Sequence, residues 1–418
     1  MTATAQLAAS DLELEDVLRR IQAEPSESVR ARERNTFDQV AGRFNQRLVL
    51  FGAGPLGRAV LAGLRRAGVE PLAFADNRIG GNRASERASY HEGSALKVDD
   101  AAYPQVMGLP VLSAAEAAGR YGQTACLVVT VYQGSSVRRQ LASLGCRSVS
   151  HFAPLLWKYA DVFIPQGGIE LPHRLAEECA AIRSCYNSLA DQSSKREICG
   201  QLLWRYWLDQ AALSPALDPR GTYFPMDLLS PSDREVFVDC GAFNGDTLSS
   251  FAEHWGGKFR HAFCFEPDPA NRAALSFAVA SMRLADRVTT LPYAVGNLNG
   301  AVSFSSTGSA GSHLTAAGGP GAISCRRLDD IEWPLVPTYI KMDIESAEPE
   351  ALAGAGELLR RHQPVLAVCT YHRSEHLWQI PNLIRSMVPE YRLFLRRYAE
   401  DCWEGVCYAI PKHRLRQR

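Results

Sequence analysis

Apolar and polar positions divide the chain into two α/β series separated by helical material. Leu12, Leu14, Val17, Leu18 and Ile21 recur at helical spacing and predict a short amphipathic helix. The charged, proline-broken AEPSESVRARERN that follows reads as a tether, so residues 1–45 are expected as a helix and tether ahead of the first domain. From Arg47 the period changes. RLVLFGAG predicts a strand entering a glycine turn, PLGRAVLAGLRRAG a helix closed by Gly68, and VEPLAFAD a second strand ending at Asp76, which together make one βαβ unit. A polar, glycine-rich stretch from Arg78 to Asp100 follows. The alternation then resumes through GLPVLSAAEAAGRYG, CLVVTVY, SSVRRQLASLG and CRSVSHF, predicting a compact Rossmann-like domain over residues 46–153.

Residues 154–230 carry few strand signals and are expected to form a helical connecting segment packed on one or both domains. Its aromatic group Trp204, Tyr206 and Trp207 reads as packing against a neighbouring domain, with a platform for a sugar ring as the sharper alternative. A second α/β series occupies residues 231–418: EVFVDCGA, HAFCFEPD, RVTTLPYAVG, TYIKMDI and PVLAVCTYH as strands, with helices between them. AVSFSS and AISCRRL are two further short strands. The closing YRLFLRRYAEDCWEGVCYAIP predicts a hairpin, and hence one antiparallel strand in an otherwise parallel sheet.

Composition narrows the partners. The 418 residues suffice for two or three domains, and 45 basic residues balance 45 acidic ones, which argues against a nucleic-acid backbone as partner. The eleven cysteines lie singly, several within apolar runs, and read as reduced core residues. The N-terminus lacks a basic start followed by an apolar stretch, and no apolar run approaches the roughly 18 residues of a membrane span. A soluble, cytoplasmic protein is expected.

In open parallel sheets ligands bind beyond the carboxyl ends of the strands, so the strand ends are where chemistry is sought. The first strand of the second series ends in Asp239-Cys-Gly241-Ala-Phe-Asn244-Gly245-Asp246-Thr247, with an acid before the turn and another opening the helix. An acid before the turn disfavours a pyrophosphate and suits an ammonium group, met directly or through water. Glu266 ends the next strand, where a ribose diol would lie. Lys341, Asp343 and Glu345 share one face if their strand persists, and Thr370-Tyr371-His372 ends the strand after it.

DCGAFNGDT, FEPDP, AVG, RRLDDI, YIKMDIESAE with EALAGA, and PVLAVCTYH, linked in this order, resemble the FkbM-type S-adenosylmethionine-dependent methyltransferases from about Tyr223 to the C-terminus. Where that family usually has glycine after Asp-x-Glu, this chain has Ser346. The resemblance implies a seven-stranded sheet with an antiparallel last strand, S-adenosylmethionine as cofactor, and methylation of a hydroxyl on a sugar or natural-product scaffold. It also implies that Asp239, Gly241 and Gly245 line the methionine end of the cofactor, with Asn244, Asp246 and Thr247 in the same loop, that Glu266 holds the ribose, that Asp343 lies near the sulfonium, and that Tyr223 covers the cofactor.

A hydroxyl acceptor must lose its proton, and His372 and Asp343 are the expected bases. Asp343 and Glu345, with Glu348, are a weaker alternative as ligands of Mg²⁺, against a structural role capping the next helix. His372 and His376 stand four apart in HRSEH, which is not the HExxH of zinc proteases. The small-residue run from Ser305 to Gly321 reads as a loop able to close over the acceptor, with Ser312 and His313 within reach.

In the first domain Gly52, Gly54, Gly57 and Asp76 have the spacing of a second, nucleotide-binding site. That domain resembles the Rossmann-like domains appended to sugar methyltransferases and acyltransferases, and no Tyr-x-x-x-Lys or hydride-site acid or base accompanies its glycine loop. The expected activity is O-methyl transfer to a sugar-containing small molecule, in a possible homodimer. A non-catalytic nucleotide or nucleotide-sugar binding protein and an NAD-dependent sugar oxidoreductase or epimerase are the alternatives.

Overall fold

A computed structural model describes residues 13–79, 104–165, 167–304, 314–315 and 322–416. Leu12, the glycine-rich stretch beyond residue 79, and Ser312 and His313 lie outside the described residues. Two compact units emerge, one spanning Glu24–Arg174 and the other joining the residues up to Ala23 to those from Leu175 onward.

The first helix, α1 (Leu14–Ala23), buries Leu14, Val17, Leu18 and Ile21 as its period predicts. It does so against helices α9 (Cys179–Ser188) and α10 (Gln192–Trp207), within the unit that holds the C-terminal sheet. Each such side chain contributes roughly 1.5–3 kcal/mol on full burial. The expected tether is corrected: Ser26–Ala41 is a helix, α2. Its charges obscured a stripe at every fourth position, Val29, Glu33, Phe37 and Ala41, all buried. Pro25 sits at the N-cap, where its missing N–H costs nothing. Glu33 is satisfied by the backbone N–H and Nδ1 of His173, at 2.9 and 2.8 Å.

In the Glu24–Arg174 unit the strands are β1 (Leu48–Phe51), β2 (Ala73–Ala75), β3 (Gln105–Val106), β4 (Leu109–Leu112), β5 (Cys126–Val129) and β6 (Ser148–His151). They form one sheet in the order β3-β4-β2-β1-β5-β6, parallel except for the β3–β4 pair. Helices α3 (Pro55–Arg66), α4 (Ala114–Tyr121), α5 (Ser135–Ser143), α6 (Phe152–Lys158) and α7 (Ala160–Phe163) complete this doubly wound unit. The stretch expected as one connecting segment is divided: α6 and α7 belong to this unit, whereas α9 and α10 belong to the other, with α8 (Pro172–Glu177) between.

The C-terminal sheet has seven strands: β7 (Val236–Cys240), β8 (His261–Phe265), β9 (Val288–Leu291), β14 (Tyr339–Met342), β15 (Val365–Cys369), β16 (Arg392–Arg397) and β17 (Gly405–Ile410). Their order is β16-β17-β15-β14-β7-β8-β9, and β17, antiparallel to both neighbours, is the one reversed strand. The shorter β10 (Ala294–Val295), β11 (Gly300–Phe304), β12 (Leu314–Thr315) and β13 (Ala322–Arg326) form a separate four-stranded sheet between β9 and β14 in the chain. Helices α11 (Asp246–His254), α12 (Pro269–Ser281), α13 (Glu348–Ala353), α14 (Gly356–His362) and α15 (His376–Met387) link the main strands.

One face of the seven-stranded sheet is covered by a core of Phe224, Phe237, Phe251, Trp255, Tyr339 and Tyr408, with Phe237 and Phe251 stacked at 4.3 Å. Trp204 and Tyr206 are buried, Tyr206 Oη donates to Ile21 O at 3.3 Å, and Arg20 of α1 lies 4.9 Å from the Trp207 ring. That aromatic group is therefore packing, against α1 of its own unit, and not a sugar platform. All eleven cysteines are unpaired thiols, ten of them buried. Among the described residues no helix is long and apolar enough to cross a membrane.

Candidate active site

The chain runs outward from β7 through β8 to β9 and returns on the other side of β7 as β14. The carboxyl ends of β7 and β14 thus flank the point where strand order reverses, and residues 241–246 and 343–348 face it. The two loops touch. Gly241 has φ +84°, and a Cβ there would lie 2.0 Å from Asp343 O, so glycine alone fits. Phe243 and Gly245 are also left-handed, and Gly245 N-caps α11.

Beneath the loop lies a buried ion pair. Asp239 and Lys341 are register partners, and Lys341 Nζ is 3.0 Å from Asp239 Oδ1, with neither side chain appreciably exposed. The ammonium also donates to Gly241 O at 2.8 Å and lies 5.2 Å from the Tyr223 ring. Burial pushes the Asp239 carboxyl up to about 6 against the pull of Lys341. Lys341 is thus the cation that meets this carboxylate, which is sealed beneath the loop. Lys341 was expected to share a face with Asp343 and Glu345. The strand ends at Met342, however, and the turn at Glu345 and Ser346, φ +55° and +85°, carries Glu345 to the exterior.

Glu266 follows β8 as expected, and its two oxygens brace the loops. Oε2 accepts from Phe243 N at 2.9 Å, and Oε1 accepts from Asp268 N at 2.9 Å and from Asn271 Nδ2 at 3.4 Å. A carboxylate has about four lone-pair sites, so capacity for a diol remains. Burial raises its pKa, opposed by these donors. Thr247 is buried in the first turn of α11, whereas Asn244 and Asp246 are exposed at its start, with Asn244 Oδ1 accepting from Asp246 N at 3.2 Å.

Asp343 is the hub of the second loop. Tyr223 Oη donates to its Oδ2 at 2.8 Å, Tyr371 Oη to its Oδ1 at 3.3 Å, and His372 Nε2 lies 3.2 Å from Oδ1. Burial opposes ionisation of Asp343, but the His372 hydrogen bond, the Lys341 and His372 charges and the Tyr223 hydroxyl together hold its carboxyl far below the usual range. The other His372 nitrogen, Nδ1, meets Glu348 Oε1 at 2.9 Å, and Glu348, fully buried, also accepts from Ile344 N at 2.8 Å. Burial alone would lower the His372 pKa, yet Glu348 and Asp343 raise it well above the ordinary histidine value.

This environment does not suit the roles expected of His372 and Asp343 as bases. An imidazolium with both N–H groups given to carboxylates has no lone pair to offer, and a carboxylate this strongly stabilised is a poor proton acceptor. Nor are Asp343, Glu348 and His372 an open ligand set. Their donor atoms lie within 4.8 Å of one another, but the histidine occupies the carboxylates from the centre. Glu345, the other alternative ligand, is 3.9 Å from His372 Nε2. His376 Nδ1 stands 3.5 Å from Glu348 Oε2, and burial lowers the His376 pKa to about 4, so it stays neutral.

One member of the site escaped sequence reasoning. Glu404, in the turn before β17, is half-buried beside Asp343, His372, Glu345 and Lys341. Burial and then the Asp343 charge push its carboxyl up to about 7. The available signal was an acid immediately preceding the last strand, in WEGV. A cleft of about 1560 Å³ opens nearby, walled by residues 213–227, α10 and α11, and it reaches Asp246 of the β7 loop. Asp343, His372 and Glu404 do not line it.

In the other unit the glycine loop is built as its sequence predicts. Gly52 has φ +112°, Gly54 N-caps α3 with Pro55 first in the helix, and a Cβ on Gly57 would lie 1.8 Å from Gly52 O. Asp76 follows β2, but its oxygens are engaged from within the unit. Ala53 N donates to Oδ2 at 3.0 Å, Arg78 N to Oδ1 at 3.0 Å, and the Arg78 guanidinium to both oxygens at 2.9 and 2.8 Å. A ribose would compete with that clamp.

Known proteins resemble the chain in sequence and in fold. Residues 239–402 match the family described as Methyltransferase FkbM domain. The structure of an FkbM methyltransferase from Methylobacillus flagellatus KT is similar, with 23% identity, a TM-score of 0.67, and coverage of 95% of this chain and 98% of that one. A putative rRNA-methylase from Clostridium thermocellum shares 14% identity over 47% of this chain and 98% of its own, with a TM-score of 0.32. A putative methyltransferase from Streptococcus mutans, in complex with SAH, shares 8% identity over 44% of this chain and 90% of its own, with a TM-score of 0.28. No curated protein matches the sequence.

Proposed function

We propose that this chain, whose residues 239–402 carry the Methyltransferase FkbM domain, transfers a methyl group from S-adenosylmethionine to a hydroxyl of a sugar-containing small molecule. The observation that carries the reading is the pairing of two charged loops at the strand-order reversal, one built on Asp239, Gly241 and Glu266 and the other on Asp343. The spare lone pairs of Glu266, beside a loop that Gly241 and Gly245 let pack closely, fit the ribose end of that cofactor.

When bound, the cofactor supplies an electrophilic methyl carbon on a positively charged sulfur. The chain supplies position and electrostatics. Asp239, through Lys341, fixes the loop from below, and Glu266 holds its outer edge while accepting from a diol. Asp343 stays ionised and presents negative charge to a cation, and Tyr223 Oη, His372 and Tyr371 Oη hold that carboxylate in one orientation. Preorganised charge of this kind requires no rearrangement during reaction.

The Glu24–Arg174 unit receives an accessory role in recognising the acceptor or in dimerisation. Its expected ribose acceptor, Asp76, is clamped by Arg78, which weighs against NAD chemistry there. Calorimetric titration with S-adenosylmethionine, S-adenosylhomocysteine and NAD tests the reading, followed by a screen of labelled methyl transfer into glycosides. Saturable binding of NAD and of neither methyl-cycle ligand overturns it.

A further inference from the structure

We infer that Glu404 is the proton acceptor of this reaction, its carboxylate taking the hydroxyl proton of the acceptor as the oxygen is methylated. The inference rests on the methyl-transfer reading above and adds a residue and a role to it.

Position is the first argument. β15 and β17 pair antiparallel, with Cys369 opposite Val406 and Thr370 N donating to Gly405 O at 2.8 Å, which brings Glu404 beside the Tyr371–His372 end of β15. Trp403 packs edge-on to Tyr371 with ring centroids 6.4 Å apart. A Cβ on Gly405 would lie 2.9 Å from Thr370 Oγ1, so glycine there lets the turn close onto the strand end. Asp401, Cys402 and Glu404 all have positive φ, at +55°, +68° and +54°. Three non-glycine residues in this conformation within four positions need the surrounding structure to impose it, and such impositions gather at functional sites.

Availability is the second argument. The groups facing Glu404 are Lys341, Asp343 and Glu345 from the β14 end, Cys369, Tyr371 and His372 from β15, and Tyr223 from the preceding segment. Most are committed: both tyrosine hydroxyls and His372 Nε2 to Asp343, His372 Nδ1 to Glu348, and Lys341 to Asp239 and Gly241. Glu345 is more than half exposed. The Glu404 side chain forms no hydrogen bond or ion pair with any described residue. Burial and like charge bring its pKa into the neutral range, where a general base works best.

The step balances. A lone pair of the acceptor oxygen forms the new O–C bond, the S–C bond breaks with its electron pair going to sulfur, and the O–H proton passes to Glu404. One positive and one negative charge become a neutral thioether and a neutral carboxylic acid.

Two measurements on wild type and Glu404→Gln test this before any acceptor is known. Calorimetry with S-adenosylmethionine and S-adenosylhomocysteine is expected to give affinities within about threefold of each other for the two proteins. With ¹³C-labelled glutamate, the carboxyl resonance absent from Glu404→Gln is expected to titrate near neutral pH in the wild type. A resonance titrating near the ordinary ~4.3 overturns the assignment and leaves the methyl-transfer reading standing. A wild type that binds neither ligand overturns the reading and the assignment together. With an acceptor from the screen, Glu404→Gln lowers kcat by about 100-fold or more at unchanged KM and removes the acid limb of the pH profile, and Glu404→Asp recovers part of the rate. A kcat within about threefold of wild type with that limb intact overturns the assignment.

Discussion

Lys341 Nζ lies 3.0 Å from Asp239 Oδ1 across the β7–β14 boundary, and both side chains are sealed from solvent. The attraction is offset by desolvation of both charges, so the pair is better understood as a fixture that sets the loop above it. Removing one partner leaves the other charge stranded. Lys341→Met is expected to destabilise the protein by about 3–5 kcal/mol, read from denaturant midpoints, and the double variant Lys341→Met/Asp239→Leu to recover much of the loss.

Glu266 accepts backbone N–H groups with each oxygen. Glu266→Gln must turn its amide NH₂ toward one of those donors and is therefore expected to behave like Glu266→Ala. Both should weaken S-adenosylmethionine binding by about 10-fold or more, since two charge-assisted contacts are lost. An unchanged calorimetric affinity in Glu266→Ala removes this residue from the cofactor site.

A methyl group at Gly241 meets the Asp343 carbonyl at 2.0 Å, and φ +84° disfavours any side chain. Gly241→Ala is expected to cost upwards of about 2 kcal/mol and to abolish cofactor binding, because relief requires the two loops to separate. Gly256, also left-handed but with open space around it, is the control. Gly256→Ala should bind cofactor normally and lose only about 1 kcal/mol, in thermal melts of both variants.

The carboxylates around His372 raise its pKa. Its stabilisation is therefore fully present below the unfolded-state value near 6.5 and lost as pH rises through the higher folded-state value. Asp343 has the opposite sign: its pKa is lowered, so its stabilisation is present above about 3.8 and lost on acidification. The stability difference between wild type and His372→Gln should be largest below about pH 6.5, while Asp343 is still ionised, and shrink toward alkaline pH. A ¹⁵N spectrum should show the His372 imidazolium persisting at pH values where an ordinary histidine is neutral.

The strand series, the reversed last strand and the glycine turns were legible because each depends on local period and on glycine or proline chemistry. Asp239, Gly241, Glu266 and Asp343 were legible because strand ends identify themselves. What the sequence concealed depends on contacts between distant segments. The helix over Ser26–Ala41 hid behind its charges, since its buried stripe includes Glu33, which is tolerable inside because His173 meets it. His372 looks like a base until Glu348 and Asp343 close on its two nitrogens. Glu404 is brought beside the end of β15 by the pairing with β17, which no local pattern around WEGV encodes.

The chain leaves the unit of the seven-stranded sheet after α1 and returns to it near Leu175. That detour bears on the order of events during synthesis. The Glu24–Arg174 unit emerges before α9 and α10, so the apolar stripe of α1 waits for its packing partners to follow. A chain shortened to begin at residue 46 would lose Leu14, Val17, Leu18 and Ile21 from beneath α10, so a defect planted at the first helix would surface in the unit of the seven-stranded sheet, made long after it.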